Sequence, residues 1–172
     1  HSNYISKLEH EFAQLVGSNF AMATSSCTGA LHLALLACGI GPGDEVIVPD
    51  ITWVATASAV LYVGATPVFC DVDENSWTLD PESARNAISP RTKAIMPVHL
   101  YGFPAQMDSI AKLAAEYGLR IIEDAAPAIG ARFSGQSVGT FGDIGCFSFQ
   151  GAKLLVSGEG GMLVTDDPDL YA

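Results

Sequence analysis

Leu119-Arg120-Ile121-Ile122-Glu123-Asp124-Ala125-Ala126 is a short apolar run that ends in two adjacent carboxylates. Its apolar part is too short for a helix and has the length of a strand, with Gly118 as its opening punctuation. A strand that reads as a near-continuous apolar run, rather than an alternating one, is covered on both faces, as in a parallel sheet sandwiched by helices. The rest of the chain repeats the theme in both directions. Upstream, strands are expected at 20–23, 45–48, 67–72 and 94–100, and helices at 30–38, 52–63, 81–88 and 107–117. Most of these helices close at a glycine, and the one at 81–88 opens on Pro81, a residue suited to the first turn. The opening segment carries an amphipathic stripe of Leu8, Phe12, Leu15 and Val16 ending at Gly17. Downstream, a glycine-punctuated loop leads to strands at 144–149 and 161–165, joined without a clear helix, which leaves the final strand free to run antiparallel. The expected fold is α/β, a seven-stranded, mostly parallel sheet flanked by helices. No repeat, low-complexity segment or linker divides the chain, so a single domain is expected over residues 1–172.

Composition sets the outer bounds. A chain of 172 residues, 49% hydrophobic and 16% charged, is long enough for one sizeable core. Eight Lys and Arg against 19 Asp and Glu give a net charge of −11, which repels nucleic acid and anionic membrane. No apolar stretch approaches the roughly 20 residues of a membrane span. Cys27, Cys38, Cys70 and Cys146 have no C-x-x-C spacing and lie among apolar residues. They read as free thiols of a reducing cytoplasm rather than zinc ligands. His32, in the run ALHLALL, reads as a packed or partly exposed helix residue. The start, His1-Ser2-Asn3-Tyr4, reads as neither a signal peptide nor a native beginning, and the chain is expected to be a piece of a longer protein.

Ligands of an open α/β sheet collect at the carboxyl ends of its strands. Ser25, Ser26, Cys27, Thr28 and Gly29 lie between the first strand and its helix, where amides at a helix N-terminus suit a phosphate and where Ser or Thr also serves as an ordinary cap. Trp53 follows the second strand; it either lies flat on a planar heterocycle or packs between helix and sheet. Asp124 ends the fifth strand, as a turn cap or as the partner of a buried cation, since an unpaired buried carboxylate is costly. Ser148 lies in the strand that precedes Lys153, and Lys153 stands five residues after it in FSFQGAK, ahead of the GEGG cluster at 158–161. Alone, Lys153 would be a loop lysine reaching for solvent. Together, an Asp at one strand mouth and a Lys just past the next are the contacts that a pyridoxal phosphate ring most needs. The amine forms a Schiff base with the aldehyde, and the carboxylate keeps the pyridine nitrogen protonated.

The ordered motifs SSCTGALHLAL, PDITWVATA, GATPVFCDVD, MPVHLYG, IIEDAAPAIGA, GCFSFQGAK and GEGGMLVTDD cover the chain. In this they resemble the large domain of the DegT/DnrJ/EryC1/StrS sugar aminotransferases, fold type I pyridoxal phosphate enzymes. The resemblance implies that Lys153 is the Schiff-base lysine and proton shuttle, that Asp124 binds the pyridine nitrogen, that Trp53 stacks on the ring, and that Thr28, Gly29 and Ser148 bind the phosphate. It implies pyridoxal 5′-phosphate as cofactor, and transfer of an amino group from L-glutamate to a nucleotide-linked 4-keto-6-deoxy sugar. FSFQGAK resembles the branch that makes viosamine- or perosamine-type sugars for surface polysaccharides. It further implies a cytoplasmic homodimer whose C-terminal small domain is absent from this chain. Two positions depart from the family pattern. Pro127 stands where Gln or His usually supplies a contact near the ring, and Cys27 where a small residue is common. Two other classes share the fold: a pyridoxamine-dependent sugar dehydratase, which carries His in place of the lysine, and a non-catalytic binding module, which loses the Lys or the Asp. Lys153 and Asp124 are both present.

Overall fold

The computed structural model describes residues 3–172; His1 and Ser2, half of the stretch read as the chain's start, lie outside the described residues. In chain order the elements are α1 (Asn3–Val16), β1 (Phe20–Thr24), α2 (Cys27–Ala37), β2 (Glu45–Pro49), α3 (Ala55–Tyr62), β3 (Thr66–Cys70), α4 (Pro81–Ala87), β4 (Thr92–Ile95), α5 (Met107–Tyr117), β5 (Arg120–Asp124), β6 (Arg132–Phe133), β7 (Gln136–Ser137), β8 (Ile144–Ser148), β9 (Gly161–Thr165) and α6 (Pro168–Tyr171). Seven strands form one sheet in the order β1-β9-β8-β5-β4-β2-β3, and β6 and β7 make a separate two-stranded ribbon within the glycine-punctuated loop. Strands β3, β2, β4, β5 and β8 pair in parallel. β9 runs antiparallel to both β8 and β1.

The strict period of two along each strand sorts its side chains between two helical layers. Val46, Val48, Ala94, Met96, Ile122, Ile144, Cys146 and Leu163 pack under α2 and α3. Their sequence neighbours face the other way: Ile47, Ile95 and Ile121 under α4 and α5, and Phe147, Met162 and Val164 under α1. Burying one such side chain contributes about 1.5–3 kcal/mol. Phe12 fixes α1 by edge-on contacts to Phe147 and Phe149, with ring centroids 5.0 and 5.5 Å apart.

The same parity decides the site. Asp124 shares the face of Ile122, toward α2 and α3, whereas Glu123 shares the opposite face with Ile121. Ser148 lies on the Asp124 side, in register with Cys146.

Several boundaries differ from the sequence reading. α2 begins at Cys27 rather than at 30, because Ser26 already supplies the cap: its Oγ accepts the Gly29 N–H at 3.1 Å. α3 begins at Ala55 rather than 52, so Thr52 and Trp53 form its lead-in. β4 stops at Ile95, two residues short of Pro97, whose missing N–H cannot extend a ladder. β3 spans Thr66–Cys70 and is an edge strand, which tolerates Pro67 and leaves Phe69 exposed. On α1, Phe12, Ala13 and Val16 are buried, but Leu8 and Leu15 remain exposed. α6 was not expected; Asp167 caps it through the Asp169 N–H. His32 is half-buried and packs edge-on against Tyr62.

Candidate active site

A cleft opens where β1, β5 and β8 end. One lobe, about 350 Å³, is lined by Cys27, Thr28, Trp53, Asp124, Ser148 and Lys153 among others. A second lobe, about 440 Å³, shares Trp53, Asp124 and Lys153 and continues to Tyr101, Pro127 and Leu154. Residues expected from sequence to act together, spread from 28 to 153, therefore do meet. Gly29 is set one position behind: its amide is bonded to Ser26 and it does not line the cleft.

The floor of the cleft depends on a close approach. Gly161, first residue of β9, lies between Thr24 and Ser148 in the sheet. A Cβ at Gly161 would stand 2.5 Å from the Ser26 carbonyl carbon and 2.6 Å from the Cys27 nitrogen. Only glycine lets the first turn of α2 rest on the sheet edge, and the Cys27 and Thr28 amides of that turn are orphan donors by helix geometry. No intramolecular partner is recorded for them among the described residues. This is the local basis of an anion seat.

Asp124 is buried. Thr56 Oγ1 donates to its Oδ2 at 2.8 Å, and the Ala126 N–H donates to Oδ1 at 3.2 Å. Burial raises its pKa above the ordinary carboxylate value, against the hydrogen bonds from Thr56 and Ala126 and the attraction of Lys153. The bond from the Ala126 N–H is the turn cap expected from sequence, and the Thr56 bond lies beyond it. Cys27, in the same cleft, is held as the neutral thiol by burial and by the nearby Asp124 carboxylate. Trp53 is 75% exposed, so the alternative of a Trp packed between helix and sheet does not occur. Lys153 sits in the tight turn after β8, where its N–H donates to the Gln150 carbonyl at 2.9 Å. Ser148 Oγ accepts the Gln150 N–H at 3.4 Å. Pro127 lines the second lobe and offers no side-chain polar group.

Behind Asp124 stands a group that sequence reasoning passed over. Glu123 and His99 are fully buried, with His99 Nε2 2.9 Å from Glu123 Oε2. The Ala105 N–H donates to His99 Nδ1 at 3.1 Å, so that nitrogen carries no proton and Nε2–H is the donor to Glu123. The Gly139, Phe141 and Gly142 amides also donate to Glu123, at 2.7, 2.6 and 2.7 Å. His99 in turn anchors the backbone beside Asp124: its N–H donates to the Asp124 carbonyl at 3.2 Å. The two acids at the end of this strand thus have divided roles. The sequence signal was the acidic pair itself, one member of which period-two alternation had to send to the opposite face.

The whole chain, residues 1–172, matches the DegT/DnrJ/EryC1/StrS aminotransferase family. The chain belongs to that family. It is 58% identical over 164 residues to a UDP-N-acetyl-3-dehydro-alpha-D-glucosamine 3-aminotransferase of Acidithiobacillus ferrooxidans, a match covering 95% of this chain and 44% of that protein. It is 50% identical over 169 residues to a GDP-perosamine synthase of Escherichia coli O157:H7, covering 98% and 46%. Among solved structures, an aminotransferase from Psychrobacter cryohalolentis superposes with a TM-score of 0.98 at 45% identity, over 99% of this chain and 43% of that one. The chain spans less than half the length of the curated relatives it matches. The family's cofactor is pyridoxal 5′-phosphate, and the cleft fits it on its own chemistry. A buried carboxylate lacks a cation in hydrogen-bond contact, an indole face is exposed, helix-start amides are without partners, and one primary amine lines the same cavity.

Among the described residues, no helix is long and apolar enough to cross a membrane. The cysteines are free, three of them buried and Cys38 half-buried.

Proposed function

We propose that residues 1–172 form the cofactor-binding large domain of a longer, homodimeric, cytoplasmic enzyme that transfers an amino group to the ketone of a nucleotide-linked sugar. L-glutamate is the proposed donor and a 4-keto-6-deoxyhexose the proposed acceptor. The observation that carries the reading is the meeting of Asp124 and Lys153, from two separate strand ends, in one cleft beside an anion seat. When bound, the cofactor supplies a carbonyl that takes up the amino group and a ring that accepts electron density. The remaining work falls to side chains of this chain. Asp124 would hold a proton on the ring nitrogen by its charge. Lys153 Nζ would be the amine that holds the cofactor, and as a primary amine in the cleft it could take up and return a proton. Thr28 and Ser148, with the first turn of α2, receive the phosphate, and Trp53 covers a ring face and keeps water from it.

The relatives' names support a sugar nucleotide as acceptor. The GDP-perosamine synthases among the relatives support the perosamine-type reading, with amination at C4, whereas the 58% identical 3-aminotransferase favours a 3-keto substrate as a second reading. The full-length protein, given glutamate and a nucleotide-linked 4-keto-6-deoxyhexose, is expected to release 2-oxoglutarate in equal amount and to yield a product that has exchanged its ketone oxygen for an amine. NMR of the product assigns the aminated carbon. A product that has lost a ring hydroxyl and gained no nitrogen identifies a dehydratase instead. Borohydride reduction of the loaded enzyme is expected to fix the cofactor on the peptide containing Lys153, and Lys153→Ala to abolish transfer while the fold persists. A label on Lys112 alone would sink the assignment.

A further inference from the structure

Thr52 and Thr56 stand one helical turn apart at the start of α3, and neither has a place in the chemistry above. Their hydroxyl oxygens are 3.1 Å apart, and Thr56 Oγ1 is 2.8 Å from Asp124 Oδ2. Proton accounting gives this chain a direction. An ionised carboxylate only accepts, so the single hydroxyl proton of Thr56 goes to Asp124. Thr56 can then only accept from Thr52, and both hydroxyls point toward the acid. Thr56 is fully buried, whereas Thr52 lies at the second lobe of the cleft, next to Trp53. The Thr56 N–H also donates to the Trp53 carbonyl at 3.2 Å, so one residue touches both the segment bearing the exposed indole and the buried acid.

We propose that Thr56, oriented by Thr52, is a positioning residue that orients the Asp124 carboxylate, favours its ionised form against the cost of burial, and ties it to the Trp53 segment. This deepens the reading of the cleft as a pyridoxal phosphate site and rests on it for the cofactor. The relay itself is a property of the empty protein. The first-turn Ser, Thr or Asp of a helix commonly satisfies its own backbone; here the hydroxyl at the second helical residue is spent on a strand of the sheet. The Ala126 N–H holds the other oxygen, Oδ1. With both oxygens held from the protein side, the carboxylate plane cannot rotate, and its remaining lone pairs are left to the cleft. Other titratable groups bear on Asp124 as well: Lys153, which favours the anion, the neutral His99 behind it, and Cys27 and Cys146, which lie near it on α2 and β8. None of these shares a hydrogen bond with its oxygens, so Thr56 is the side chain whose loss is read directly.

The test is made on the full-length protein with two readouts, neither of them turnover. Cofactor-free protein carrying carboxyl-13C aspartate is titrated by NMR, with Asp124→Asn used to assign the resonance. Thr56→Val, which matches the shape and removes the hydroxyl, is expected to move the Asp124 midpoint upward by about one pH unit, because one hydrogen bond to a charged group is lost. Thr56→Ser, which keeps the hydroxyl, is expected to stay near wild type. Titration with pyridoxal phosphate, followed by its visible absorbance, is expected to show about 10-fold weaker uptake for Thr56→Val. Thr52→Val sits at the cleft edge, where folding is not at stake, and is expected to give a smaller shift of the same sign; it decides the matter if Thr56→Val does not fold. Unchanged midpoints in these valine variants would overturn the inference. A wild type that takes up no pyridoxal phosphate while its Thr56→Val midpoint still rises would overturn the cofactor reading and leave the relay standing.

Discussion

Replacing Glu123 by Gln removes one charge and changes one oxygen into an NH2 group, and the structure shows why so small a change is expensive. Oε1 accepts two backbone amides, from Phe141 and Gly142; Oε2 accepts the Gly139 amide and His99 Nε2–H. All four partners are donors. His99 cannot reverse its tautomer, because its Nδ1 is held by the Ala105 amide. Whichever way the carboxamide is turned, its NH2 faces two N–H groups in a buried place. Two hydrogen bonds to a charged acceptor are lost at about 1.5–3 kcal/mol each, while relief of the buried charge returns part of that. The net loss is expected to be about 3 kcal/mol. Urea unfolding of full-length wild type and Glu123→Gln measures it. With a slope of about 2 kcal/mol per molar, the midpoint of the transition that reports this domain falls by about 1.5 M. A loss under about 1 kcal/mol would refute the reading of Glu123 as an ionised acceptor of four donors.

Gly161→Ala places a methyl within 2.5–2.6 Å of the Ser26–Cys27 peptide, so α2 must retreat by about 1 Å or the strand must shift, at about 1–3 kcal/mol. Cofactor uptake is expected to weaken about 10-fold, whereas Gly151→Ala, with its nearest atom 3.9 Å away, serves as the neutral control. Asp124 gives a pH dependence of definite sign. Its folded pKa is raised by burial above the unfolded value of about 3.9. Its contribution to the stability of the cofactor-free protein is therefore fully present below that unfolded value and lost as pH rises through the folded pKa. Thermal midpoints of the cofactor-free protein across this range are expected to show that component in wild type and to lose it in Asp124→Asn. A profile identical in both proteins would count against a buried, titrating Asp124.

The layer order and most of the cleft were legible in the residues themselves. Continuous apolar runs such as Ile121-Ile122 and Val46-Ile47-Val48 can be buried only on two faces, and glycines at 39, 64 and 118 mark where helices stop. Thr28, Trp53, Asp124, Ser148 and Lys153 were visible as candidates at strand ends, each with an ordinary alternative, and it was their order along the chain and the family resemblance that joined them into one site. What the chain order could not contain was distance across the sheet. How closely the first turn of α2 seats on β9 depends on a glycine more than 130 positions away, Gly161, where a side chain would collide with the Ser26–Cys27 peptide. Glu123 and Asp124 are neighbours in sequence with the same charge and chemistry. The period of the strand sends them to opposite faces, and only packing supplies Glu123 with three loop amides and His99, and Asp124 with Thr56 and an open cleft. A carboxylate takes its role from the donors that surround it, and those donors are brought together by tertiary structure alone.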